Sequence, residues 1–163
     1  MAYDRHILFC GALAGVILLA CIAGLAVAGG PGKARKERED SARLNAVTET
    51  ARALACYSQA MGSIPDDLSL VEAALADATS DTRSQQACTH AELRRDPVTD
   101  APFPLRRDAA GTVTHICANF ATADAASDRY KYAPFDTVIP DINKPREKAG
   151  EHCFALNLDA KLD

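Results

Sequence analysis

The sequence predicts an α+β fold: an N-terminal transmembrane helix, then a long amphipathic helix and a short helix packed on a small antiparallel sheet. Three observations predict it. An uncharged apolar run fills residues 7–28. A stretch with helical periodicity and neither Pro nor Gly runs from Lys33 to Met61. After residue 96 the apolar period changes from helical to two.

The first run reads ILFCGALAGVILLACIAGLAVA, 22 residues from Ile7 to Ala28. At 1.5 Å per residue a helix of that length covers about 33 Å, against a hydrocarbon core of about 30 Å. It shows no polar face, whereas a helix packed on a globular core would. Gly11, Gly15 and Gly24 suit a membrane helix better than an aqueous one. Residues 7–28 are therefore expected to contact a lipid bilayer, with Cys10 and Cys21 as small apolar residues. Two processing signals overlap the run. Ala26-Val27-Ala28 has the small-x-small shape of a signal-peptidase site, and Leu18-Leu19-Ala20-Cys21 resembles a lipobox.

Residues 1–6 form a short tail, 29–40 a charged linker or helix start, and 41–163 the remaining domain, large enough for a core of its own. Two signals oppose each other on its orientation. Lys33, Arg35, Lys36 and Arg38 follow the apolar run while Arg5 precedes it, which by the positive-inside rule places the domain in the cytoplasm. Cys56, Cys88, Cys117 and Cys153, an even set in a small domain, suit an oxidising compartment.

Within the domain, Leu44, Val47, Ala51, Leu54, Tyr57 and Met61 recur at gaps of three and four, one face of a helix. Arg43, Glu49 and Arg52 lie off that face and are expected in water. Gly62 and Pro65 end the helix. Asp66 or Asp67 caps a shorter helix whose inner positions are Leu68, Val71 and Leu75. Residues 79–95 read as a polar loop. Asp96-Pro-Val-Thr-Asp100 is a turn. Residues 102–107 form an edge-like strand, because Pro102 and Pro104 cannot donate to a ladder. Thr112–Phe120 alternates, with Val113, His115, Cys117 and Asn119 on one face. A long loop carries Tyr130, Tyr132, Pro134, Pro140 and Pro145. A last strand runs over 151–158.

This order of elements resembles the pilin and pseudopilin fold. The likeness rests on the helix ending Tyr57-Ser-Gln-Ala-Met-Gly-Ser-Ile-Pro65 with Asp67-Leu68 after it, and on Asp96-Pro-Val-Thr-Asp-Ala-Pro-Phe103. The strands Cys117-Ala-Asn-Phe120 and Gly150-Glu-His-Cys-Phe154 resemble those of uncharacterised membrane-anchored bacterial proteins. The chain departs from prepilins in one respect. A basic leader ending in Gly, with a glutamate five residues into the mature helix, is not found, and no acidic residue lies between Ile7 and Ala28. The resemblance implies a fold displayed at the bacterial inner membrane with the domain on the periplasmic side, and other membrane proteins as partners.

Nucleotide-binding loops, a Gly-x-Ser-x-Gly elbow and a His-Glu-x-x-His pair are all missing, so no catalytic residue and no cofactor is expected. The net charge of −4 argues against nucleic acid. Asp66-Asp67 reads as a cap and Asp96 with Asp100 as turn residues, although each pair could also be read as carboxylate chemistry. His90 near Cys88, His115 near Cys117 and His152 beside Cys153 supply zinc-type ligands, but the spacing is not that of a Cys-x-x-Cys chelate. Disulfides fit better than a metal. Three connectivities are open to four cysteines. Cys117–Cys153 is preferred because both lie in predicted strands of one sheet, leaving Cys56–Cys88. The expected function is a non-catalytic structural or interaction protein of the envelope, with the apolar run as a possible interface to a larger membrane complex. The alternative is a small metal-binding or enzymatic module using the Cys and His clusters.

Overall fold

The computed structural model describes residues 2–27, 30–77, 88, 91–124 and 136–162. Among the described residues three helices precede three strands: α1 (Ala2–Val27), α2 (Gly30–Met61), α3 (Leu68–Asp77), β1 (Leu105–Arg107), β2 (Val113–Phe120) and β3 (Gly150–Ala155). The chain divides into two compact units, Met1–Arg38 and Glu39–Asp163.

In the first unit α1 carries exposed apolar side chains, among them Leu13, Val16, Ile17, Leu18, Leu19 and Ile22. The expected transmembrane helix is corrected here: among the described residues no helix is long and apolar enough to cross a membrane. Gly30 takes a positive φ of 67° and opens α2, with Pro31 next to it at the position where its missing N–H costs nothing. The charged stretch that follows is helical, and Lys33 lies 3.8 Å from Glu37 one turn on.

The second unit is α+β. The sheet has the order β1-β2-β3, all antiparallel. Alternation in β2 directs Ile116, Ala118 and Phe120 inward, and Phe154 of β3 joins them. Against them α2 lays Val47, Ala51 and Ala55. The small residues of α2 allow close approach, and the two rings of Phe120 and Phe154 meet edge to face at 6.1 Å. A second cluster joins Leu54 of α2, Ile64, Val71 of α3 and Val113. Asp67 caps α3, its Oδ1 accepting the Ser69 N–H at 3.0 Å.

Four details depart from the sequence reading. Arg43, expected in water, is buried at 6% exposure. Met61, expected on the inner face of α2, is 65% exposed. Between Arg106 and Arg107 the β1–β2 register shifts, so that Arg106 faces His115 while Arg107 faces Val113. The unmatched Thr114 is a bulge, and it turns Val113 into the core and away from the face shared by His115, Cys117 and Asn119. The segment read as a long loop supplies Val138, Ile139 and Ile142 to the main core, each at 7% exposure or less. Tyr130, Tyr132 and Pro134 of that segment lie outside the described residues.

Candidate functional site

One turn apart on α2, Asp40 and Arg43 both point under the loops that flank the sheet. Arg43 donates from Nη1 to Asp40 at 2.8 Å and from Nε to Asp96 at 2.6 Å. Asp40 also accepts the N–H groups of Ala121 and Thr122 at 2.9 and 2.8 Å, and the Thr122 hydroxyl. Asp96 accepts the N–H groups of Val98 and Thr99, which closes the turn. Burial pushes the Asp96 carboxyl up, but the Arg43 hydrogen bond, the two amides and the Arg43 charge together hold it below the usual carboxylate range. Each oxygen in this triad is occupied, so its chemistry is structural: it pins two loops to one helix. Asp100, beside it, sits at φ 56°, with its N–H given to the Asp96 carbonyl.

Asp66 and Asp67 do not form a carboxylate pair. Asp67 is the cap, and Asp66 lies 3.0 Å from Arg107. Arg107 in turn donates to the carbonyls of Ile64, Pro65 and Gly111, tying the α2–α3 connection to the sheet. Thr50 holds the 91–96 segment by giving its hydroxyl to the Arg94 carbonyl and accepting the Arg94 N–H. A cleft of about 330 Å³ lies beneath these contacts, lined by Leu54, Leu68, Leu93, Phe103 and Leu105 among others. It is an apolar seam between α2, α3 and β1, with its charged residues at the rim.

Two disulfides are present. Cys56 joins Cys88 with Cα atoms 5.8 Å apart, and Cys117 joins Cys153 with Cα atoms 4.0 Å apart. The second crosses a single rung of the β2–β3 ladder. The Cys117 N–H is given to the Pro104 carbonyl on the β1 side, so Cys117 and Cys153 form a non-hydrogen-bonded pair, where facing side chains come closest. Cys10 and Cys21 are free and exposed on α1.

The histidines separate. His90 lies outside the described residues. His152 shares the inner face with Phe154, ring centroids 4.8 Å apart, and therefore points away from the neighbouring Cys153. Burial and the nearby Arg146 charge lower its pKa, and Asp141 opposes them. His115 stands by register on the Cys117 face, with Nδ1 3.0 Å from the Thr114 hydroxyl. The residue that joins the cysteines instead is Glu151: its carboxylate, Cys117 Sγ and Cys153 Sγ lie within 4.8 Å of one another. Sequence reasoning passed over Glu151 by attending to histidines. The signal was in the alternation, since Glu151 and Cys153 are two apart on one strand and share a face.

Arg146 is buried over the Phe120 ring, its guanidinium carbon 3.9 Å from the centroid and its Nη2 3.5 Å from Asp124 Oδ2. Its Nε and Nη1 find no hydrogen-bond partner among the described residues. Burial lowers its pKa against the opposing pull of Asp124 and Asp40. The ring face and these two carboxylates are what hold the charge in place.

Comparisons with protein-family models, with curated proteins and with solved structures gave no match.

Proposed function

We propose that the chain is a non-catalytic structural or interaction protein of the bacterial cell envelope, its pilin-like α+β unit standing in an oxidising compartment outside the cytoplasm. The observation that carries this reading is the pair of disulfides, both closed within the second unit. The burial of Asp40, Arg43 and Asp96 as a mutually satisfied triad supports it, because groups consumed by one another serve a scaffold rather than a substrate. The way α2 packs Val47, Ala51 and Ala55 across an antiparallel sheet supports the pilin-like description.

The association surface in this reading is α1. Leu13, Val16, Ile17, Leu18, Leu19 and Ile22 are each 55–68% exposed. Contiguous apolar surface of this kind marks contact with membrane lipid or with another membrane protein.

A C-terminal alkaline phosphatase fusion tests the compartment: it is expected to be active, while a fluorescent-protein fusion is expected to stay dark. The opposite result ends the extracytoplasmic reading. Co-sedimentation of the purified chain with phosphatidylethanolamine–phosphatidylglycerol vesicles tests the surface. Replacing Leu13, Ile17 and Leu19 by Ser is expected to release the chain into the supernatant, and equal sedimentation of both forms would assign α1 another role.

A further inference from the structure

We propose that Cys117, Cys153 and Glu151 form a redox-gated site for a thiophilic divalent cation of the zinc class, closed as a disulfide and opened by a dithiol. Three observations join in it. The two sulfurs and the carboxylate are already within 4.8 Å of one another. The backbone ladder places the cysteines opposite each other independently of the S–S bond: β2–β3 pairs every residue from His115↔Ala155 to Phe120↔Gly150, and the cysteines, joined by the disulfide, occupy one rung inside it. Cutting the S–S bond therefore leaves two thiols facing each other at the closest type of cross-strand position. Finally, Cys153 is only half-buried and Glu151 is exposed, so a reductant and an ion approach from the Cys153 side; Cys117 is itself 1% exposed, and with Glu151 it lines a cavity of about 270 Å³ that Cys153 does not border.

The chemistry balances as follows. A thiolate of the dithiol attacks Cys153 Sγ; the Cys117–Cys153 bond breaks and Cys117 leaves as thiolate. The second thiol of the reductant then displaces Cys153. Two electrons and two protons have passed to the protein, and the dithiol has become a cyclic disulfide. The cation next replaces the two thiol protons, giving two metal–thiolate bonds and releasing two protons. Glu151 supplies the third ligand. In the oxidised form it holds Arg106 at 2.7 Å, an exposed pair that contributes little and exchanges readily. His115, on the same face, is the imidazole placed nearest in register to complete four-coordination; water is the other candidate.

Among the described residues the other disulfide offers no such set. Cys117, Glu151 and Cys153 are the one group of three metal-type ligands among the described residues, and neither Cys56 nor Cys88 belongs to it. The proposal stands independently of the envelope reading, because it concerns what the sheet holds after reduction, in whichever compartment a dithiol meets it.

The test uses the full chain, zinc alone as the probe, and equilibrium dialysis after phosphine reduction and anaerobic desalting. The oxidised chain is expected to bind no zinc at this site and the reduced chain one equivalent. Glu151→Gln is expected to weaken binding at least tenfold while leaving the oxidised fold unchanged by circular dichroism. Cys56→Ala combined with Cys88→Ala is expected to keep the full equivalent, and Cys117→Ser to lose it. Should the cysteine variants fail to fold, cobalt(II) substitution in the reduced wild-type chain decides instead, through its thiolate charge-transfer band and the effect of E151Q on it. Absence of zinc from the reduced wild type, retention of zinc by Cys117→Ser, or an unaltered affinity in E151Q would each overturn the proposal.

Discussion

Replacing Arg43 by Met is the perturbation that most directly probes the buried charges. The side chain is 7% exposed and its two carboxylate partners are 3% and 11% exposed, so little water reaches the triad. Removing one member of a buried ion pair commonly costs about 3–5 kcal/mol, because the remaining charge stays desolvated and unpaired. Here the carboxylates keep other donors: three hydrogen bonds to Asp40 from Ala121 and Thr122, and two to Asp96 from its own turn. The lower end, about 3 kcal/mol, is therefore expected. Against a domain stability of about 5–15 kcal/mol that is a large fraction, and at about 4 °C per kcal/mol it lowers the melting midpoint by roughly 12 °C. Thermal melts followed by circular dichroism at pH 7, with disulfides intact, measure it. The triple variant R43M/D40N/D96N removes the stranded charges and should recover part of the loss. A single R43M within about 0.5 kcal/mol of wild type would refute the view that this triad is a desolvated unit. The same unit sets an acid limit. Asp96 is held below its unfolded pKa, so its contribution is complete above about pH 4 and is lost as pH falls through the lowered folded value.

The disulfides close loops of nearly equal separation, 32 and 36 residues, which the chain-entropy model values at about 3.7 kcal/mol each. The double alanine variants at Cys56/Cys88 and at Cys117/Cys153 are expected to shift urea-derived stability by similar amounts; a gap above about 2 kcal/mol would mean that native packing and not the unfolded chain decides. Reduction should also leave the β2–β3 amides protected from hydrogen exchange, and their loss would show that the disulfide holds the strands together. His152 adds a pH dependence near neutrality. Its folded pKa is lowered, so stability is complete above about pH 6.5 and falls with pH down through the folded value; His152→Gln should flatten that segment of the stability profile.

What could be read from the sequence is what repeats locally. The three- and four-residue gaps of Val47, Ala51 and Leu54 and the alternation of Ile116, Ala118 and Phe120 are local periods, and both faces pack as their periods imply. Arg43 was misread because its reason for burial lies 53 residues away in Asp96, and no periodicity records a partner at that distance. Val113 was assigned to the wrong face because one bulged residue, Thr114, shifts a two-residue count for everything before it. Val138, Ile139 and Ile142 were passed over because the segment has no regular period: Asp136 accepts the N–H groups of Val138 and Ile139, so their backbone is satisfied by a side chain and not by a ladder. Glu151 was missed for a related reason. Its partners become visible only once the register places Cys117 against Cys153, and register is a property of two strands together. The candidate site thus sits where local pattern and long-range pairing meet. Alternation alone puts Glu151 and Cys153 on one side of a strand, and the ladder alone brings Cys117 to them. It follows that a register shift of one residue in β3 would abolish the site while leaving every residue in place, which makes the site a sensitive reporter of the β2–β3 pairing itself.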